Sequence, residues 1–172
     1  MTASSIEKSP TLRHGTEADL PAVAKIYAHY VTETVATFEF DAPDTAEWRL
    51  RFASITAAGL PFLVAEFDGR LAGYAYCGPW KQRPAYRNTV ENSIYIAPWA
   101  TGRGLGGRLL DELLTECRTR GIREVIAVIA DSGDLTSPAL HRGRGFVEAG
   151  RLRNVGHKHD RWLDTILMQR SL

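Results

Sequence analysis

The residues able to do chemistry concentrate between Lys81 and Gly107. An apolar run, Ser93-Ile94-Tyr95-Ile96-Ala97, is followed by Pro98, by Thr101-Gly102-Arg103-Gly104-Leu105-Gly106-Gly107, and then by an amphipathic segment. A glycine-rich turn from strand to helix offers bare backbone N–H groups and a positive helix end, which together suit a phosphate. Arg103 adds a cation between the glycines, and the pattern predicts that this turn holds a phosphorylated cofactor. Glu91 heads the apolar run, where a carboxylate is costly unless it faces a cleft or a partner. Burial there would raise its pKa into a range useful for proton transfer. In the loop before it, Lys81, Gln82 and Arg83 lie between Trp80 and Tyr86. Arginine can grip a pair of anionic oxygens bidentately, and lysine adds a point charge. The plainer alternatives are a solvent-facing acid for Glu91 and a solvated charged loop for Lys81 and Arg83.

The elements that must position these groups follow from pattern and turn residues. Thr11–His14 reads as a short strand; Thr16, Glu17 and Asp19 with Pro21 open a helix whose face carries Val23, Ile26, Tyr27 and Tyr30. Thr34–Asp41 is irregular and holds Phe38 and Phe40. Pro43-Asp44-Thr45 starts a second helix with Trp48, Leu50, Phe52 and Ile55, ended by Gly59 and Pro61. Phe62–Phe67 and Leu71–Cys77 form a hairpin through Asp68-Gly69-Arg70, with Gly78-Pro79 breaking the second strand. The central strand spans Glu91–Ala97. Leu105, Leu109, Leu110, Leu113, Leu114 and Cys117 recur at helical spacing after it, and Gly121 closes that helix. Val125–Ala130 is a buried strand, Thr136–Arg144 a short helix, Gly145-Phe146-Val147 the start of a strand, and Trp162–Met168 the last one.

With 172 residues, 44% of them hydrophobic, the chain suits one domain over 10–172 with a flexible segment over 1–9. Twenty-one Lys and Arg balance twenty Asp and Glu, so nothing favours wholesale binding to nucleic acid or to an anionic membrane. The expected partner is a small molecule. Cys77 and Cys117 are forty residues apart and fall in apolar patterns, which fits packed free thiols in a reducing cytoplasm. Met1–Ser9 lacks the apolar core of a signal peptide, and no stretch reaches the length of a membrane span. No set of metal ligands stands at suitable spacing; His157 and His159 with Lys158 could line a substrate mouth instead.

Gly102, Gly104 and Gly107 also match the G-x-G-x-x-G dinucleotide fingerprint, with Asp131 near the place of a ribose-binding acid. The order of elements argues against that fold, because a hairpin precedes the motif and few residues follow the next strand. Glycines that merely permit a tight turn are the bland alternative. The element order and the turn resemble the GNAT superfamily of acyl-CoA-dependent N-acetyltransferases, whose motif reads Q/R-x-x-G-x-G/A. Gly104 and Gly106 match, whereas Thr101 stands where Gln or Arg is usual. A closer resemblance covers nearly the whole chain, to the phosphinothricin and methionine-sulfoximine acetyltransferase branch. Its markers are Ile26-Tyr27-Ala28-His29-Tyr30, Leu63-Val64-Ala65-Glu66, Gly78–Tyr86, Val90–Ile96, Leu140-His141 with Gly145-Phe146, and Gly156-His157-Lys158-His159-Asp160-Arg161-Trp162. Arg144 replaces a common Leu, and Asp134 a common Asn.

The resemblance implies an α/β GNAT fold, a mixed and mostly antiparallel splayed sheet flanked by helices. It implies acetyl-CoA as cosubstrate, without a metal. The main chain of Ile94, Tyr95 and Ile96 would pair with the pantetheine arm, the glycine turn would hold the pyrophosphate, and Asp134 and Ser137 would add contacts. An amine arriving as ammonium must lose a proton before it attacks a thioester, and Glu91 is the candidate base. His141, where many relatives carry a Tyr, is the candidate donor to the departing thiolate; a packed helix histidine is the alternative. A backbone N–H near Ile94–Ile96 would meet the oxyanion. Tyr30, Phe38, Lys81, Gln82, Arg83, Tyr86, Glu91, Asn92 and Ser93 are the candidate contacts to a small amino-acid substrate of the phosphinothricin or methionine-sulfoximine type. Relatives of the branch imply a homodimer. The rival readings are the same chemistry on an aminoglycoside, polyamine or peptide N-terminus, a non-catalytic CoA-binding module, and a nucleotide-binding oxidoreductase fragment.

Overall fold

A computed structural model describes residues 9–172. The expectation of a flexible segment over 1–9 falls on 1–8 almost entirely, outside the described residues. The elements run β1 (Thr11–His14), α1 (Leu20–Glu33), α2 (Thr45–Ala57), β2 (Phe62–Phe67), β3 (Arg70–Pro79), β4 (Thr89–Ile96), α3 (Leu105–Thr119), β5 (Glu124–Ala130), α4 (Thr136–Arg142), β6 (Val147–Lys158) and β7 (Arg161–Ser171). Local chemistry sets their limits. Asp44 caps α2 by accepting the Glu47 N–H at 2.8 Å. Asp68 and Gly69 both have positive φ, the two-residue turn whose twist suits the β2–β3 hairpin. Gly121, at φ 75°, ends α3.

The strands form one seven-stranded sheet in the order β1-β2-β3-β4-β5-β7-β6. Every pairing is antiparallel except β4 with β5. That single parallel joint is short: Thr89–Asn92 pair with Glu124–Ala127, and then the strands part. Ser93–Ile96 stay on β3, while Val128–Ala130 stay on β7, so the sheet opens into a V at its centre.

Side-chain alternation divides the two layers. Tyr74 and Tyr76 of β3 meet Trp48 of α2 edge to face, whereas Cys77 points the other way, its sulfur 3.4 Å from that of Cys117 in α3. Helices α1 and α2 therefore cover one face, and α3 covers the other. The apolar stripe of α3 is buried as its spacing predicts, from Leu105 to Cys117.

Two sequence expectations need correction. Gly78-Pro79 does not break β3, because the missing Pro79 N–H would point beyond the end of β2 and costs the ladder no hydrogen bond with that strand. Leu50 is 68% exposed, since two positions after Trp48 turns it to the far side of α2. β6 starts at Val147, as Gly145-Phe146-Val147 predicts, and its length, on to Lys158, is the part that the pattern did not mark. A bulge between Leu152 and Gly156, with Asn154 at φ 52°, interrupts the period of two that would have revealed it.

Candidate active site

The V between β4 and β5 opens into a cleft of about 980 Å³. Its walls come from β4, β5, the glycine turn, α4 and the loop after α1. Backbone polarity on the β4 side follows from the ladder. Ala97 donates to Ala72 O and Trp80 to Thr89 O, both in the register that joins β3 to β4. Alternation then commits the peptide groups of Ser93 and Tyr95 to β3, and turns those of Ile94 and Ile96 toward the opening. The expectation for Tyr95 changes accordingly: it contributes its ring, packed on Tyr27 and Tyr30, and not its main chain. The Ile96 carbonyl accepts the Tyr30 hydroxyl at 2.5 Å, which leaves the Ile94 peptide and the Ile96 N–H for a ligand.

At the far end, Gly102 and Gly104 take φ of 75° and 72°, and a Cβ at either would meet nothing within 4 Å. A bare, open backbone of this kind admits a phosphate closely. The first helical bond of α3 runs from the Arg108 N–H to Gly104 O, so the N–H groups of Leu105, Gly106 and Gly107 have no partner within the helix. Thr101 lies on the wall, its hydroxyl donating to Pro98 O at 3.1 Å. Arg103 does not face the cleft; its guanidinium lies over the Phe67 ring, 4.7 Å from the centroid. Its position after Gly102 places it on the outside of the turn. Arg144 approaches this end instead, its Nε donating to Gly107 O at 3.2 Å and pairing with Asp111 at 3.0 Å. Gly107 is what allows that approach, because a Cβ there would overlap the guanidinium.

Glu91 and Asn92 are neighbours on β4 and so face opposite layers. Glu91 sits opposite Gly78, on the face of Tyr76, Ser93 and Tyr95; it is half-buried and lines the cleft. Burial raises its pKa above the ordinary carboxylate value, while the charge of Lys81 works the other way. Asn92 faces α4, where its Nδ2 lies 3.0 Å from His141 Nε2. His141 is 4% exposed, its ring edge-on to Phe146 and its Nδ1 2.8 Å from the Ser137 carbonyl. A carbonyl only accepts, so Nδ1 carries the proton, and neutral Nε2 accepts from Asn92. Burial lowers the His141 pKa and favours that neutral form. Asn92 Oδ1 is buried at the same wall, without a partner among the described residues.

Of the remaining expected residues, Tyr30, Phe38, Asn92, Ser93, Asp134 and Ser137 all line the cleft. Asp134 is turned to Thr136, accepting from its Oγ1 at 2.6 Å and its N–H at 2.8 Å, which lowers the Asp134 pKa. Lys81, Gln82, Arg83 and Tyr86 are exposed and stand outside the wall; Lys81 Nζ lies 4.7 Å from the Trp80 ring centroid. They stand on the β3–β4 loop, and of the four Lys81 acts on Glu91, through its charge. His157 and His159 are exposed while Lys158 is buried, so the three do not form one mouth. Asp131, the would-be ribose acid, is instead paired with Arg151. Tyr27, Thr37, Tyr76 and Thr165 also line the cleft, and no motif singled them out as site residues.

The sequence profile of the acetyltransferase (GNAT) family matches residues 23–146. The chain belongs to the GNAT family. It is 50% identical to a phosphinothricin N-acetyltransferase of Alcaligenes faecalis over 94% of this chain and 82% of that protein. Identity to an L-methionine sulfoximine/L-methionine sulfone acetyltransferase of Pseudomonas paraeruginosa is 37%, over 95% of both. The crystal structure of a GNAT superfamily phosphinothricin acetyltransferase from Sinorhizobium meliloti in complex with acetyl-CoA superimposes with a TM-score of 0.92. It is 45% identical, over 96% of this chain and 89% of that one. This GNAT chain is accordingly an acetyltransferase of the acyltransferase class, and the nucleotide-binding oxidoreductase reading is set aside.

Proposed function

We propose that this GNAT enzyme moves the acetyl group of acetyl-CoA to the α-amine of a small amino acid of the phosphinothricin, methionine sulfoximine or methionine sulfone type, by direct attack. The observation that carries this reading is the placement of Glu91 and the Asn92–His141 pair on opposite faces of one strand, at the point where β4 and β5 part. A thioester lying in the V would have a carboxylate on one side and an amide–imidazole pair on the other. The open glycine turn and the free first-turn N–H groups of α3 fit the pyrophosphate, and the Ile94 and Ile96 peptides fit the pantetheine arm.

In the proposed reaction Glu91 takes a proton from the substrate ammonium, and the freed amine attacks the thioester carbonyl. The developing oxyanion meets the Ile94 N–H, which is already fixed toward the opening. As the carbon–sulfur bond breaks, the thiolate leaves on the side of Asn92 and His141. That pair supplies the N–H, His141 holding the Asn92 amide in place. The proton shed by the attacking nitrogen as the intermediate collapses passes to sulfur, and the one taken first leaves through Glu91 to solvent. A covalent route through cysteine lacks support, because Cys77 and Cys117 are both fully buried and are spent on each other, and the hydrogen bond with Cys117, with burial added to it, pushes the Cys77 thiol up.

The cations Lys81 and Arg83 on the exposed β3–β4 loop would give a carboxylate-bearing substrate a favourable approach and disfavour a polyamine. The working form is proposed to be a homodimer, since Val147, Leu152, Val155 and Trp162 on the outer β6–β7 hairpin are exposed apolar side chains. The reaction is placed in the cytoplasm, where acetyl-CoA is made. Thiol release from acetyl-CoA, measured for phosphinothricin, methionine sulfoximine, methionine sulfone, common amino acids, a polyamine and an aminoglycoside in competition, tests the assignment. The amino-acid analogues should dominate; faster turnover of the polyamine or aminoglycoside would reject it.

A further inference from the structure

The hairpin of β6 and β7 turns through His159 and Asp160, both at positive φ, and this turn pairs Lys158 with Arg161 and Gly156 with Leu163. Gly156 and Lys158 therefore face inward together, while His157 and Trp162 share the outer side. Lys158 is 3% exposed, and its Nζ donates to Thr37 O at 2.7 Å across 121 residues of sequence. An ammonium buried to this degree is costly unless it is hydrogen-bonded and near an opposite charge. The Thr37 carbonyl supplies the first and Glu39 the second.

Gly156 has a matching constraint: a Cβ there would come closer than 3.0 Å to ring atoms of Phe38. The segment seated on these two residues is itself stiffened from behind. Tyr27 OH is 2.8 Å from both Thr37 Oγ1 and Glu39 Oε1, and Arg51 holds both Glu39 oxygens at 2.8 and 3.1 Å. Ala36, Thr37 and Phe38 line the cleft, as does Thr165 of β7. The contact thus bridges the two halves of the sheet that part at β4 and β5.

We propose that Lys158 and Gly156 are positioning residues for acceptor selection, a strut that fixes Ala36–Phe38 as the wall of the acceptor end. This rests on the acetyl-transfer reading above. The strut sets the width available to the acceptor side chain and leaves the acetyl-CoA end, built from α3 and α4, untouched.

The test compares Lys158→Met, Gly156→Ala and the pair Gly156→Ala/Phe38→Leu with the parent enzyme. In Lys158→Met the KM for methionine sulfone should rise about tenfold, the worth of one charge-assisted hydrogen bond, while the KM for acetyl-CoA stays within about twofold. Preference should shift toward bulkier amino acids, and amide exchange over residues 34–41 should accelerate with α1 and β4 unchanged. Gly156→Ala should raise the acceptor KM in the same way, and trimming Phe38 to Leu in that background should restore it, which a general defect of the hairpin would not allow. Equal rises in both KM values, failure of the Phe38 trim to rescue, or unchanged exchange over 34–41 would overturn the strut. A parent enzyme that turns over no amino-acid acceptor would instead reject the functional reading, and the exchange comparison would still judge the strut.

Discussion

Replacing Glu91 by glutamine keeps the shape of the side chain and removes its ability to take a proton, so activity and stability should move in opposite directions. Glu91 is half-buried on the cleft wall, and no side-chain hydrogen bond reaches it among the described residues; only the field of Lys81 favours its charge. It is therefore free to meet an ammonium, and it is strained when ionised. A positioned general base contributes about 10²–10⁴ in rate, so Glu91→Gln should lower kcat/KM for the amine by that factor, about 3–5 kcal/mol of transition-state stabilisation. The KM for acetyl-CoA should hardly change, since its proposed contacts lie on the glycine turn and the main chain of Ile94 and Ile96. In the parent, activity falls as pH drops through the raised Glu91 pKa; in the variant that limb disappears, and the rate climbs with pH as free amine accumulates.

Stability adds a second readout. The unfolded chain releases the Glu91 proton near 4.5, whereas the folded chain releases it only at higher pH. Between those values the folded state holds more protons, so the Glu91 contribution to stability is full below 4.5 and is lost as pH rises through the folded pKa. Glutamine carries no such penalty. Melting curves should place Glu91→Gln above the parent at neutral pH and level with it under acid conditions. Thiol release at saturating acetyl-CoA across about pH 5.5–9.5 gives the kinetic half of the comparison. A variant within about threefold of the parent at neutral pH, with the acid limb intact, would refute Glu91 as base.

Asn92→Ala removes the donor to His141 Nε2 and should cut kcat about tenfold to a hundredfold with little change in either KM, measured by steady-state thiol release. Asn92→Asp should place a carboxylate at the same ring nitrogen and raise the His141 pKa, reversing the effect of burial in an NMR titration of the imidazole. Thr101→Arg should lower the KM for acetyl-CoA about threefold or more by adding a cation at the open glycine turn, and the gain should shrink in high salt.

The sequence carries the order of elements well, because α3, β2 and β5 bury periodic apolar residues and the glycine turn has little freedom. Glu91 is legible for the same reason: a carboxylate within an apolar strand stands out. The acceptor end is legible only in part: Tyr30, Phe38 and Ser93 stand out and line the cleft, but what holds its wall does not. Thr37 and Lys158 meet through one hydrogen bond between segments far apart in the chain, and Gly156 matters only because Phe38 happens to lie against it. No local period records such a contact. Arg103 misled for a related reason, since its type suits a phosphate but its place in the turn sends it onto Phe67.

The alternation of a β-strand explains why the two chemical groups follow one another in sequence and yet do not interfere. Were Glu91 and the Asn92–His141 pair on one face, the carboxylate would draw the imidazole proton and raise the His141 pKa, and base and donor would neutralise each other. Adjacent positions place them on opposite layers, one beside the tyrosines packed on α1 and α2, the other beside α4. The parting of β4 from β5 immediately after Asn92 is the second requirement. It opens the sheet where both side chains begin to project, so that a reacting carbonyl in the gap can be reached from either side. A longer β4–β5 ladder would close that gap and separate base from donor by an intact sheet.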